Sequence, residues 1–466
     1  MSQANTFDVV VIGGGPGGYV AALRAAQLKL KTALVERENL GGVCLNWGCI
    51  PTKALLHSAD TLRRIRHAGA QGITVSEPQV DFGKVVARSR QVSQRLNRGV
   101  THLLKKAGVT VLMGQAHIPA AGQVQVTDSK GAEQTLQAAH TIVATGARAR
   151  ALPMLPFDCD RVWGYRDALT AKALPKSLVV IGAGAIGMEF ASFYAALGTQ
   201  VTVVEAAEHV LPASDAEVSA FVQQAMAQDG IRFLTAAKVQ GGEVTADGVR
   251  LSVEQSGKAE TLHAERVLVA IGLVGNVEDL GLEHTQVVVD KGLVQVGDWG
   301  VTAQPGLYAI GDITGAPMLA HKASHEGIAC VEHIAGLHSG AQHHAPIPAC
   351  VYSYPQSASV GMTEVQARAQ RSALRVGKFP LEGNGKAIAI DEAAGFIKTI
   401  FDAQTGELLG AHLVGPEATE LVHGYTLAAT LETTETELME TIFPHPTLSE
   451  AMHEAVLAAY GRALHI

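Results

Sequence analysis

Two short stretches of this chain carry residue types at spacings suited to sulfur chemistry. In LGGVCLNWGCIPTKALL, residues 40–56, Cys44 and Cys49 stand with four residues between them, among Gly41, Gly42 and Gly48. In FPHPTLSEAMHEAV, residues 443–456, His445 precedes Glu450 by five positions. Three roles compete for the cysteines. Metal ligation needs a further Cys or His pair at ligand spacing, and His57 stands alone nearby. Buried core cysteines would not need three glycines around them. A redox dithiol does, because the glycines and Pro51 permit a distorted first helical turn that brings the sulfurs together, whereas regular helical spacing would not. Placement at a helix N-terminus is expected to lower a thiol's pKa and supply the thiolate that exchange requires. A dithiol substrate, with thiols near pKa about 8.5, is mostly protonated at neutral pH and needs a base. His445 is the candidate, with Glu450 at the start of the next helix orienting the imidazole and stabilising its charged form. His453 and Glu454 read as a helix face.

The elements that must position these groups are announced by an internal repeat. VVIGGGPGGYVAALRAAQLKLKTALVE, Val10 to Glu36, recurs as VVIGAGAIGMEFASFYAALGTQVTVVE, Val179 to Glu205, at an offset of 169 residues. Each copy is a β-branched run, a G-x-G-x-x-G turn, an apolar-periodic helix, a second strand and a terminal glutamate, which is the βαβ dinucleotide fingerprint. Gly13 and Gly182 allow the tight turn. Gly15 and Gly184 let the backbone approach a pyrophosphate at the helix N-terminus, and Gly18 and Gly187 let helix and strand pack closely. Glu36 and Glu205 can accept hydrogen bonds from a ribose diol and would repel a 2′-phosphate, so the pair of copies implies FAD and NAD, with NADP disfavoured.

Other strands end in glycine: TIVATGARAR at 141–150, with Thr145 and Gly146; RVLVAIGLVGN at 266–276, with Gly272; and GLYAIGDIT at 306–314, with Asp312. These read as strand ends that approach ligands. The expected fold is α/β, with two Rossmann-like dinucleotide-binding domains and a C-terminal α+β dimerisation (interface) domain. Its divisions are a first nucleotide domain at 1–150, a second at 151–275, a segment at 276–345 that completes the first, and the interface domain at 346–466. HHAPIPAC, 343–350, reads as a linker, and FIKTIFDAQTGELLGAHLVG, 396–415, as two strands around a turn, followed by helices.

Composition narrows the function. The 466 residues suggest roughly three or four domains. With 47% hydrophobic and 17% charged residues and 49 glycines, the chain is globular rather than disordered. A net charge of −8 gives no broad attraction to nucleic acid or anionic lipid, and neither is an expected partner. Five scattered cysteines do not form a secreted disulfide framework. The most apolar stretch, Leu178 to Val204, is broken by glycines, Glu189 and Gln200, so no membrane span is expected. The opening MSQANTFDVVVIGGG carries no export or import signal, which points to the cytoplasm.

Together, GGVCLNWGCIPTKALL, the paired fingerprints, AIGD at 309–312 and HPTLSEAMHEA resemble the two-cysteine flavoprotein disulfide reductases of the pyridine nucleotide-disulfide oxidoreductase family, over essentially the whole chain and in order. Within that family the resemblance is to the members that oxidise dihydrolipoyl groups. It implies an FAD- and NAD-dependent homodimer in which the C-terminal His and Glu of one subunit complete the disulfide site of the other. It makes Cys44 the interchange thiol and Cys49 the thiolate against the flavin. Lys53 then lies near the flavin N5, with Glu189 as its pair beside the nicotinamide. Asp312 and the backbone near Ala320 and His321 become FAD contacts, Glu36 the FAD ribose ligand, Glu205 the NAD ribose ligand, and His445 with Glu450 the acid–base pair. No metal is implied. The implied reaction turns dihydrolipoamide and NAD⁺ into lipoamide and NADH, with lipoyl domains of 2-oxoacid dehydrogenase complexes or a glycine-cleavage H protein as partners.

Departures from the family pattern are Gln356 in place of glutamate, and Ser324 and His325 where acidic residues are frequent; Trp47 reads as tolerated variation. A glutathione reductase would be expected to carry arginines after the second fingerprint, and a mercuric reductase a C-terminal cysteine pair. Neither feature is present. A redox-inert flavin-binding subunit is opposed by the joint presence of Cys44, Cys49, His445 and Glu450.

Overall fold

The computed structural model describes residues 5–338 and 345–466. Where length suggests three or four domains, the chain folds into two compact units: Met1–Ala54 with Gly83–Arg150 and Gly272–His343, and Leu55–Phe82 with Ala151–Ile271 and His344–Ile466. Each unit holds one fingerprint.

The first unit is built on a seven-stranded sheet. Strands Thr110–Met113, Thr32–Glu36, Thr6–Ile12, Glu133–Val143 and Leu307–Ala309 run parallel in that order. The long strand Glu133–Val143 also pairs antiparallel, through its first half, with Gln123–Thr127. The run VVVI is apolar without alternation because both faces of a central parallel strand are covered. Val9 and Val11 pack with Ala21, Ala22 and Ala25 of helix Pro16–Gln27, while Val10 and Ile12 pack with Val124, Val126 and Leu136 of the antiparallel strands.

In the second unit a five-stranded parallel sheet runs Arg232–Leu234, Gln200–Val204, Ser177–Ile181, Arg266–Val269 and Val162–Trp163. Helix Ala185–Ala196 follows the second fingerprint and is buried along nearly its whole length, which is why its sequence lacks a polar stripe. The C-terminal part is a five-stranded antiparallel sheet, in which strands Phe396–Asp402 and Leu408–Val414 are buried throughout. Helices Ala418–Thr430 and Glu450–Ala459 pack Val422, Tyr425, Ala451 and Ala455 against Phe379, Ile397, Phe401 and Leu413. The first two residues of the linker segment 343–350 lie outside the described residues, and its last two belong to the edge strand Ala349–Val351.

One polar cluster inside this unit was not legible in sequence. Lys398, 2% exposed, meets Asp215 at 3.0 Å, Glu217 at 2.7 Å and Glu364 at 2.6 Å. Burial disfavours charge on all four groups, yet their mutual hydrogen bonds win: the three carboxyls are held below their usual range and the ammonium above its own.

Candidate active site

The cysteine stretch folds as two helices, Gly42–Trp47 and Cys49–His67, with a break at Gly48. The expected distorted first turn is therefore a discontinuity between the two cysteines. Cys44 sits in the short helix and Cys49 opens the long one. Gly41 and Gly42 start the short helix at φ of 89° and 56°, values that only glycine adopts readily. A Cβ on Gly42 would lie 2.6 Å from the Gly15 Cα, and the Gly41 N–H donates to the Gly14 carbonyl at 2.7 Å. The thiol-bearing turn thus rests on the first fingerprint loop. Asn46 donates to the Leu40 and Gly42 carbonyls, and Asn97 also donates to Leu40.

The two side chains are reduced thiols in hydrogen-bonding contact, Cys44 half-buried and Cys49 exposed. The Cys44 thiol is pushed strongly up, first by its hydrogen bond to Cys49, then by burial and by the Cys49 charge; the Lys53 ammonium opposes this. This corrects the expectation of a lowered pKa at Cys44: its hydrogen bond to Cys49 and its burial outweigh the placement near a helix start. Trp47, read as tolerated variation, has specific partners. Its Nε1–H donates to Glu38 Oε1 at 2.9 Å, and the Arg90 guanidinium lies over its ring, 5.0 Å from the centroid.

The two fingerprints show the same division of labour among their glycines. Gly13 and Gly182 adopt φ of 104° and 102°, and a Cβ there would meet the Ala144 or Ala270 carbonyl oxygen at 2.3 or 2.4 Å. At Gly18 and Gly187 it would lie 1.8 or 2.0 Å from the carbonyl oxygen of the first glycine. By contrast, a Cβ on Gly15 has only the Gly42 Cα at 3.9 Å, and one on Gly184 has nothing within 4 Å. The middle glycine of each loop therefore faces open space at a helix N-terminus, the cradle that a pyrophosphate fills. Glu36 accepts from the Gly14 and Glu38 N–H groups, both at 2.7 Å, and Glu205 from Ala183 at 2.6 Å and Ala207 at 2.8 Å. Each carboxylate is fixed beside its loop with lone pairs left for a ribose diol. These residues fit two dinucleotides.

Of the other named residues of the first unit, Lys53 lies in helix Cys49–His67, and Thr145, Gly146, Gly272 and Asp312 lie just beyond strand ends. Thr145 and Asn276 bond reciprocally, Thr145 Oγ1 to the Asn276 carbonyl and Asn276 Nδ2 to the Thr145 carbonyl, both at 2.8 Å. Gly146 and Gly272, at φ of 69° and 107°, have open space where a Cβ would project. Asp312 lies in the 3₁₀ turn Gly311–Thr314, its pKa raised by burial, with Lys322 opposing and Glu326 adding to the rise. Ala320 and His321 open helix Ala320–Ile334. Glu326, missed in sequence, accepts from the Gly311 N–H at 2.8 Å and pairs with Lys322 at 2.7 Å. Its signal was the Lys322–Glu326 helical spacing.

In the second unit Glu189 is 5% exposed and accepts from the Tyr352 N–H at 3.0 Å. His445 Nδ1 lies 2.9 Å from Glu450 Oε1. Burial pushes the Glu450 carboxyl up, but the Thr447 N–H and His445 outweigh it and hold the pKa low. The imidazole side chain is 78% exposed, which leaves Nε2 at the unit's surface. His453 bonds to the Met439 carbonyl. Glu454 is not a bare helix face: it is 7% exposed and accepts from Leu464 N–H and His465 Nδ1, tying down the C-terminus. Gln356 accepts from Thr419 Oγ1 at 2.9 Å within its own unit, and Ser324 donates to the Ala320 carbonyl. Among the described residues no cluster of three or more His, Cys, Asp or Glu could hold a metal, and no helix is long and apolar enough to cross a membrane.

The chain belongs to the pyridine nucleotide-disulphide oxidoreductases: that family's model matches residues 7–327, and the model of its dimerisation domain matches residues 347–456. It is an oxidoreductase of the flavin- and nicotinamide-dependent class, with the expected α/β fold. It is 52% identical over 465 residues to a dihydrolipoyl dehydrogenase of Zymomonas mobilis, covering 99% of this chain and 100% of the relative. Against a dihydrolipoyl dehydrogenase of Rhizobium etli it is 50% identical over 481 residues, with the same coverage. Among solved structures it resembles LpdA of Mycobacterium tuberculosis, with a TM-score of 0.90 at 29% identity over 96% of this chain and 98% of that one.

Proposed function

We propose that the protein oxidises dihydrolipoyl groups to lipoyl groups with NAD⁺, as a cytoplasmic homodimer serving 2-oxoacid dehydrogenase complexes or a glycine-cleavage H protein. The observation that carries the thiol chemistry is the contact of Cys44 with Cys49 on a turn seated against the first fingerprint. Residues 1–150 and 276–345 form the FAD-binding part, 151–275 the NAD-binding part and 346–466 the interface. Gly13, Gly15, Gly18, Glu36, Lys53, Thr145, Gly146, Gly272, Asp312, Ala320 and His321 hold FAD. Gly182, Gly184, Gly187 and Glu205 hold NAD, and Glu189 serves the nicotinamide.

In the reaction, His445 Nε2 takes a proton from one substrate thiol while Glu450 holds the imidazole through Nδ1 and balances its charge. The substrate thiolate attacks Cys44 of the oxidised pair, and Cys49 leaves as thiolate. The second substrate thiol gives up its proton and attacks the substrate sulfur of the mixed disulfide. A lipoyl disulfide departs, and Cys44 takes up a proton. The raised pKa of Cys44, caused first by its hydrogen bond to Cys49 and then by burial, suits the thiol that takes up this proton. FAD, when bound, carries the electron pair from the thiols onward, and NAD⁺ accepts it as hydride. The exposed His445 suits a base that is completed only against another subunit.

The test compares dihydrolipoamide-dependent reduction of NAD⁺ by the holoenzyme with NADH- and NADPH-dependent reduction of glutathione disulfide. Dihydrolipoamide turnover that is abolished in Cys44→Ser supports the reading. Dominant glutathione reduction would overturn it.

A further inference from the structure

Trp47 ends the short helix between the two cysteines, next to the Gly48 break. A helix of six residues has little stability of its own, so its position depends on what fastens it: the backbone seat of Gly41 and Gly42 on the first fingerprint loop, and side chains. Asn46 fastens its start to Leu40 and Gly42, while Trp47 fastens its end to Glu38. Glu38 is in turn anchored through its own N–H on Glu36, at the end of strand Thr32–Glu36. On the ring face lies Arg90 from helix Phe82–Lys106, whose Nη2 donates to Ser93 Oγ at 3.1 Å. The Arg90 Nε is buried without a hydrogen-bond partner, so the indole face is part of what compensates that cation.

We infer that Trp47 is a positioning residue that, through its Nε1–H bond to Glu38, sets the approach of the Cys44 and Cys49 sulfurs and so the reduction potential of the pair. The inference rests on the redox-dithiol reading above and extends it. Two thiols held close form a disulfide more readily than two that wander, because less freedom is lost on closure. The Trp47–Glu38 bond holds the short helix at the break that separates the two cysteines, so its loss widens the range of sulfur separations in the dithiol state and leaves the disulfide no stronger.

The experiment equilibrates the FAD-loaded protein in mixtures of reduced and oxidised dithiothreitol. Cys44–SH, Cys49–SH and oxidised dithiothreitol give the Cys44–Cys49 disulfide and reduced dithiothreitol, with protons and electrons balanced. The dithiol fraction is read by alkylation and mass of the peptide, without turnover. Trp47→Phe keeps a ring for Arg90 and removes the N–H. It should lower the equilibrium constant for disulfide formation about tenfold, a potential about 30 mV more positive. Glu38→Ala should give the same shift, the double variant no further shift, and Glu38→Gln, which keeps an acceptor, a potential near wild type. Because Glu38→Ala tests the same bond from its other end, the result does not depend on Trp47→Phe folding. Constants within twofold of wild type in both single variants, or shifts that add in the double variant, would overturn the inference while leaving the dithiol reading intact. A wild-type protein that forms no Cys44–Cys49 disulfide in any mixture would overturn both.

Discussion

One substitution, glycine to alanine, should have three different outcomes at the three glycines of the second fingerprint. At Gly187 the added methyl would stand 2.0 Å from the Gly182 oxygen, so helix Ala185–Ala196 would have to withdraw by about an ångström from a packed sheet. Overpacking against backbone of this kind costs about 3 kcal/mol or more. At Gly182 a φ of 102° adds about 1–2 kcal/mol of backbone strain to a clash with the Ala270 oxygen at 2.4 Å. At Gly184, φ is −72° and ψ −179°, which alanine adopts freely, and the methyl meets nothing within 4 Å. Stability there should fall by only about 0.5–1 kcal/mol, the cost of a poorer helix cap. The methyl does occupy the pyrophosphate cradle, and losing one charge-assisted N–H bond, worth about 1.5–3 kcal/mol, weakens NADH binding about 10- to 100-fold. Urea unfolding, bound-flavin absorbance and NADH titration separate the cases. Gly184→Ala should retain FAD and fold while losing NADH affinity, whereas Gly187→Ala should lose the fold of its unit. Wild-type NADH affinity in Gly184→Ala, or a stability loss as large as that of Gly187→Ala, would refute the assignment of the middle glycine to the ligand.

In Cys49→Ala, the largest upward influence on the Cys44 pKa is removed, together with the Cys49 charge, leaving burial to raise it and Lys53 to lower it. Alkylation of Cys44 by iodoacetamide, followed against pH, should therefore begin at lower pH than in the reduced wild type; an unchanged or higher midpoint would contradict the coupling. Lys398→Met strands the buried Asp215 carboxylate and should cost about 3–5 kcal/mol in urea unfolding at neutral pH, with part restored by adding Asp215→Asn. The pH dependence follows from the directions of the shifts. The raised Lys398 pKa contributes stability that is complete below lysine's unfolded value and is lost as pH rises through the folded one. The lowered carboxyl pKa values contribute stability present above the unfolded carboxylate range and lost as pH falls through the folded values. The Lys398→Met deficit should accordingly shrink in acid, where Asp215 can take up a proton, and a deficit independent of pH would count against the charge cluster as its cause.

Much of the chemistry was legible in the chain because it depends on local constraints. A G-x-G-x-x-G turn needs glycine for reasons confined to one strand, one turn and one helix, so Gly13, Gly18, Gly182 and Gly187 could be assigned roles from spacing alone, and the contacts that a Cβ would make there agree. The unbroken VVVI and VVI runs marked strands covered on both faces. His445 and Glu450, five positions apart, could be paired because the loop and first helical turn between them are short. The helix break at Gly48 was half visible: glycines announced a departure from regular geometry but not which one.

What sequence could not decide are interactions whose partners meet only after folding. Cys44 stood near a helix start, which argues for a lowered thiol pKa, but contact with Cys49 and burial reverse the sign. Trp47 looked replaceable until Glu38, from the preceding strand end, and Arg90, from another helix, were found on its edge and face. Lys398 stood in a strand with no sign of a partner, and only helix Ala216–Gln228 with its cap Asp215, brought in from some 180 residues away, buries it among carboxylates. Local backbone geometry and apolar period are properties of neighbouring residues and survive in one dimension. Desolvation and charge pairing depend on which distant groups are excluded from water together, and for this protein those were settled by the packing within its units.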